Sequence, residues 1–120
     1  MAIAIKIIIA LVAIIHIYIL WLEMFAWTTK GPKTFKKFPK ELFEPTKALA
    51  ANQGLYNGFL ATGLIWSFFI KDVQWSQNVS VFFLGCVLVA GIYGALTADK
   101  KIFMFQGFLP LVGLVLIFLK

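Results

Sequence analysis

Four long apolar runs organise the chain: Ile7–Trp27, Ala48–Ile70, Val79–Ala98 and Ile102–Leu119. Each is about 18–23 residues long, and a helix rising about 1.5 Å per residue needs roughly 20 residues to cross the hydrocarbon core of a bilayer. The pattern predicts four membrane-spanning helices and leaves no room for a separate soluble domain. The first run is too long for the apolar region of a signal peptide, and no A-x-A-type site follows it, so it reads as a retained span. The later connections, "KDVQWSQN" and "DKK", are short, which makes consecutive helices antiparallel neighbours. The expected fold is all-α: one transmembrane domain over residues 1–120, an integral membrane four-helix bundle of up-down-up-down topology. Pro110 lies inside the fourth run, where a missing backbone donor predicts a kink.

The first connection is of another kind. Residues 28–47 read "TTKGPKTFKKFPKELFEPTK", with Phe35, Phe38, Leu42 and Phe43 interleaved with lysines. Gly31, Pro32, Pro39 and Pro45 break it into short pieces. An amphipathic segment on the headgroup region is expected, apolar side chains down and lysines out. Pro45 and Thr46 make a start signal for the second span. Composition agrees with the runs: 62% of residues are hydrophobic and the mean hydropathy is +0.93, against about 45–50% apolar in soluble domains. The single cysteine, Cys86, lies within the third run and has no internal disulfide partner.

Charge sets the orientation. The eleven basic residues are all lysine and the net charge is +6. Lys30, Lys33, Lys36, Lys37, Lys40 and Lys47 fall in the first connection, and Lys100 and Lys101 in the third. Alternating spans put these on one side, with Lys6, Lys71 and Lys120 on the other. That asymmetry places the first and third connections in the cytoplasm and both termini on the extracellular or periplasmic side. Lysines beside spans point to membrane lipids as partners and away from nucleic acid.

Against this apolar background the intramembrane polar residues are few: His16, Glu23, Asn52, Gln53, Tyr56, Asn57, Tyr93 and Gln106. Polar groups in lipid are costly and need a partner or a role. Counted from the helix ends, every span contributes a polar group to the cytoplasmic half, with His16 deeper at about 16 Å. Glu23 and Asn52 are level at roughly 6 Å, with Tyr56 and Asn57 roughly 12–14 Å deep. At about 100° per residue, Asn52, Gln53, Tyr56 and Asn57 cover one broad face of the second span, and Gly54 and Gly58 the other. The glycines form a small-xxx-small pair suited to close helix approach. The pattern predicts a polar pocket open to the cytoplasm, with a chain His16–Asn57–Tyr56–Glu23 bridging its depth. Glu23 and Tyr56 are the candidate proton donors or acceptors. One His and one Glu at this spacing make no metal site, and the sequence holds no phosphate loop, nucleophile triad or CxxC.

The segments "HIYILWLEMFAW" and "ALAANQGLYNG", with the lysine-rich loop between them, resemble a bacterial family of small four-helix membrane proteins formed by a domain of unknown function. The resemblance implies a multi-pass protein of the bacterial plasma membrane. In plan the chain is also similar to the membrane-associated eicosanoid and glutathione metabolism (MAPEG) superfamily, with its long cytoplasmic first loop and polar second helix. That superfamily carries a Glu followed by an Asn eight residues later on the second helix, the spacing of Glu44 and Asn52. The likeness implies a trimer, a lipophilic substrate and glutathione bound between subunits, and Asn52 as a ligand-binding or helix-pinning amide. The arginines with which that superfamily holds glutathione have no counterpart here. Three functions follow as expectations: binding or transformation of a small amphipathic molecule, a proton-coupled transporter or channel component, and a structural membrane scaffold.

The orientation is open to direct test. With single cysteines introduced at Lys37 and Trp75, an impermeant maleimide applied to intact cells should label position 75 and spare position 37. Labelling of position 37 from outside would reverse the topology.

Overall fold

The computed structural model describes residues 2–120, and no strand occurs among them. Five α-helices form: α1 (Ile3–Phe25), α2 (Gly31–Thr34), α3 (Lys47–Ser67), α4 (Val73–Thr97) and α5 (Phe108–Leu119). A 3-10 turn, Lys40–Leu42, lies between α2 and α3, and a π-helical turn, Phe103–Gly107, precedes α5. The helices α1 and α4 are each long and apolar enough to cross a membrane. The molecule divides into two compact units, Met1–Ile15 with Leu60–Lys120, and His16–Phe59.

The first unit has an aliphatic core. Ile5, Ile9, Val12 and Ala13 form a stripe on α1 at helical spacing, and pack with Leu64 of α3, Leu84 and Val87 of α4 and Ile117 of α5. Glycine sets how closely the elements approach. A Cβ on Gly91 would lie 2.7 Å from the backbone nitrogen of Gly107 and 2.8 Å from its Cα, so α4 and the π-helical turn pack backbone to backbone. The ring of Phe83 occupies the space where Gly63 would carry a side chain. Gly85 differs, since a Cβ there would meet no atom within 4 Å.

Two boundaries depart from the apolar runs for local reasons. The helix of the third run, α4, begins at Val73, ahead of the expected Val79, because Asp72 caps it: its carboxylate accepts from the backbone N–H of Trp75 at 2.9 Å. Ser76, now inside that helix, donates to the carbonyl of Ser67 at 2.7 Å and so satisfies an end group of α3. Serines at 67 and 80 are buried, and their hydroxyls donate to the carbonyls of Leu64 and Ser76. In the fourth run, the disturbance expected at Pro110 takes the form of the π-helical turn. The N–H of Phe108 reaches back to the carbonyl of Phe103, just ahead of the residue whose ring cannot fit a regular α-turn.

The glycine contacts predict an asymmetric response to methyl groups. Gly91→Ala should lower stability by about 1–3 kcal/mol, the cost of overpacking against backbone that has no rotamer to move. Gly85→Ala should be neutral or slightly stabilising, because helix propensity improves without a clash. Thermal unfolding of the detergent-purified variants distinguishes the two.

Candidate functional site

The second unit holds Glu23 and the polar residues of α3, and its geometry again begins with glycine. A Cβ on Gly54 would stand 2.8 Å from Met24 Cγ, 3.0 Å from Glu23 Cβ and 3.2 Å from the Leu20 carbonyl oxygen. One on Gly58 would strike the side chain of Leu20. The face of α3 bearing both glycines therefore lies directly on the last turns of α1. Asn57, one turn beyond Gly54, falls at the edge of that face. Its Nδ2 donates to Glu23 Oε1 at 2.7 Å in a buried hydrogen bond. Glu23 and Asn57 are 6% and 8% exposed, so the carboxylate is held inside the protein by an amide from the neighbouring helix.

The connection between α1 and α3 folds on Trp27. The rings of Phe35, Phe38 and Phe43 surround its indole at centroid distances of 5.6, 5.9 and 4.8 Å, and Phe38 meets Phe43 edge-on at 4.9 Å. Such tilted contacts suit aromatic quadrupoles. The indole N–H donates to Thr46 Oγ1 at 3.0 Å, and that hydroxyl donates to the carbonyl of Leu42 at 2.7 Å. Gly31 fits beneath Phe43, where a Cβ would lie 2.8 Å from the ring. Phe43 is thus buried, whereas Leu42 and the interleaved lysines stay on the surface.

The expected site residues divide. Glu23 and Asn57 are brought together. His16 lies on the same helix as Glu23 and is fully buried. Asn52, Gln53 and Tyr56 are exposed on the side of α3 away from its glycines. The amide of Asn52 donates to the carbonyl of Ala48 one turn earlier, at 2.9 Å, and the ring of Tyr56 meets that of Phe59 at 5.9 Å, tilted by 45°. Glu44 is exposed. Tyr93 and Gln106 belong to the first unit: Tyr93 is exposed along an apolar groove of α4 with Phe82 and Cys86, and Gln106 is half-buried in the π-helical turn. The register also differs from a count inward from the helix ends, for Asn57 rather than Asn52 stands opposite Glu23. Counting residues missed Trp27 and Thr46. Their signal was an indole beside a phenylalanine–lysine alternation and a hydroxyl beside Pro45, both legible only as a boundary.

A buried carboxylate held by a carboxamide presents acceptor oxygens in a low-dielectric setting, which favours ligands bringing N–H, O–H or cationic groups. No group of three His, Cys, Asp or Glu side chains placed to hold a metal occurs among the described residues.

Residues 10–118 match the family model described as "Protein of unknown function (DUF1304)". The chain is also 37% identical over 107 residues to the uncharacterized protein YpaA of Lactococcus lactis subsp. lactis (strain IL1403), covering 88% of each chain. No solved structure matches it. The chain belongs to the DUF1304 family.

Removing the amide should cost more than removing an exposed one. Asn57→Ala leaves the buried carboxylate without its donor and should destabilise by about 1–3 kcal/mol. Asn52→Ala should stay within about 0.5 kcal/mol, as at most surface positions. Equal melting temperatures for the two variants would mean that the Glu23–Asn57 bond contributes nothing to helix association.

Proposed function

We propose that this member of the DUF1304 family is a small integral membrane protein that binds a small amphipathic or lipophilic molecule in a polar pocket on the cytoplasmic side of the bilayer. Its four spans are α1, α3, α4, and the π-helical turn with α5, arranged up-down-up-down. The lysine-rich segment 28–47 lies at the cytoplasmic face and both termini lie outside, in keeping with the lysine asymmetry.

The two-sidedness of α3 carries the proposal. Asn57 turns in to Glu23, while Asn52, Gln53 and the 60% exposed Tyr56 turn out. Outward amides in a span face a penalty in acyl chains, so such groups meet protein, ligand or water. A second copy of the chain against this stripe, with the ligand between subunits, satisfies them. A homo-oligomer, and a trimer in the MAPEG-like plan, follows from that arrangement. Within it Asn52 and Gln53 orient the ligand and Tyr56 exchanges a proton with it, while the buried Glu23–Asn57 pair on the inner side of α3 fixes the helix that presents them. His16, buried on the same helix as Glu23, belongs to the same unit.

The buried Glu23–Asn57 bond also favours a purely helix-pinning role, and a ligand screen separates the two. Detergent-purified wild type and Glu23→Gln are melted with glutathione and other thiols, with lipids and with amphipathic cations. At a hundred times its dissociation constant, a ligand stabilises the folded form by about 2.7 kcal/mol. At least one compound should raise the melting temperature of the wild type well beyond that of the variant. A panel in which none does so leaves Glu23 and Asn57 with structure alone.

A further inference from the structure

Where α3 ends and α4 begins, the first unit contains a pocket of about 210 Å³ lined by Lys6, Phe68, Ile70, Lys71, Val73 and Ser76. It makes no use of Glu23 or Asn57. Its two cations come from separate elements: Lys6 from the first turns of α1, Lys71 from the link between α3 and α4. No acidic residue lines it. The nearest acid in sequence, Asp72, does not line the pocket; its carboxylate caps α4 by accepting the N–H of Trp75 at 2.9 Å. Val73 and Ser76 stand in the first turn of α4, a helix of 25 residues whose N-terminal dipole adds to the positive potential. The Ser76 hydroxyl donates to the carbonyl of Ser67, so the lysines supply the attraction. Two lysines lining one pocket, with no carboxylate in the lining, suit a phosphate, which lysine binds as a point charge.

The rim is apolar. Phe68 is 41% and Val73 68% exposed, with Phe69 and Trp75 exposed beside them. An inorganic ion would gain nothing from these side chains, whereas an amphiphile would lay its chain along them. Lysine near the end of an apolar helix also extends its ammonium to the headgroup level. We propose that this pocket binds the phosphate of an anionic phospholipid, with Lys6 and Lys71 on the headgroup and Phe68 and Val73 against the start of the acyl chains.

The test uses the full chain released from micelles containing phosphatidylglycerol and phosphatidylcholine in equal amounts, with bound lipid counted by native mass spectrometry. Wild type should retain phosphatidylglycerol preferentially. Lys6→Gln with Lys71→Gln should reduce that preference on the order of thirtyfold, the loss of two lysines at a lipid surface. Lys6→Arg with Lys71→Arg should keep it, and Lys36→Gln with Lys37→Gln, which removes the same charge from the lysine-rich segment, should lower it by less than the Lys6/Lys71 glutamine pair does. Melting temperatures in phosphatidylcholine alone verify that each variant is folded. Inorganic phosphate is titrated in parallel. Should it stabilise the wild type and not the glutamine pair while lipid preference is absent, the pocket is a free-phosphate site and the lipid assignment falls. An equal preference in wild type and the Lys6/Lys71 glutamine pair likewise overturns it.

Discussion

Close approach of helix backbones at glycine underlies both units of this protein. Such an approach permits van der Waals contact and interhelical hydrogen bonds. Both act only at short range. Gly91 lets α4 rest on the backbone of Gly107, and Gly54 lets α3 rest on Glu23, Met24 and the Leu20 carbonyl. Where a side chain fills the gap instead, as the Phe83 ring does over Gly63, the same rule appears in its other form: one residue gives up its Cβ so that another can pack.

The polar pair follows from that approach. With Gly54 against the Cβ of Glu23, the next turn of α3 carries Asn57 to within 2.7 Å of the carboxylate. A bulkier residue at 54 would move the helices apart and break a bond whose length tolerates little displacement. The hydrogen bond and the glycine contact are therefore one device. The same geometry divides α3 into an inner edge holding Asn57 and an outer face holding Asn52, Gln53 and Tyr56, a division on which the proposed intersubunit pocket rests.

The segment between α1 and α3 obeys a related economy. Three phenylalanines around Trp27, with the indole N–H answered by Thr46, give a short stretch with little regular secondary structure a core of its own. Its lysines remain outside, where their charge is solvated. Pro32 and Pro39 define where the backbone turns, which leaves the aromatic side chains to decide how the turns stack.

Much of this protein was written in one dimension. Apolar runs located the long helices, and the lysine distribution suggested an orientation. The segments around "NQGLYNG" pointed to a family that the match over residues 10–118 places on firm ground. Periodicity separated the glycines of α3 from most of its polar residues because angle around a helix is a local property. Depth is not local. The register that sets Asn57 opposite Glu23 arises from contact between two helices far apart in sequence, and no count inward from either end contains it. Asp72 drew α4 back to Val73 through a cap whose bond is decided by one side chain's rotamer. Phe43 turned inward because Trp27 and Gly31 made a place for it. In each case the sequence determined which residues need a partner, and only the tertiary structure decided which neighbour supplies it, because contacts between distant segments are not a local property of the chain.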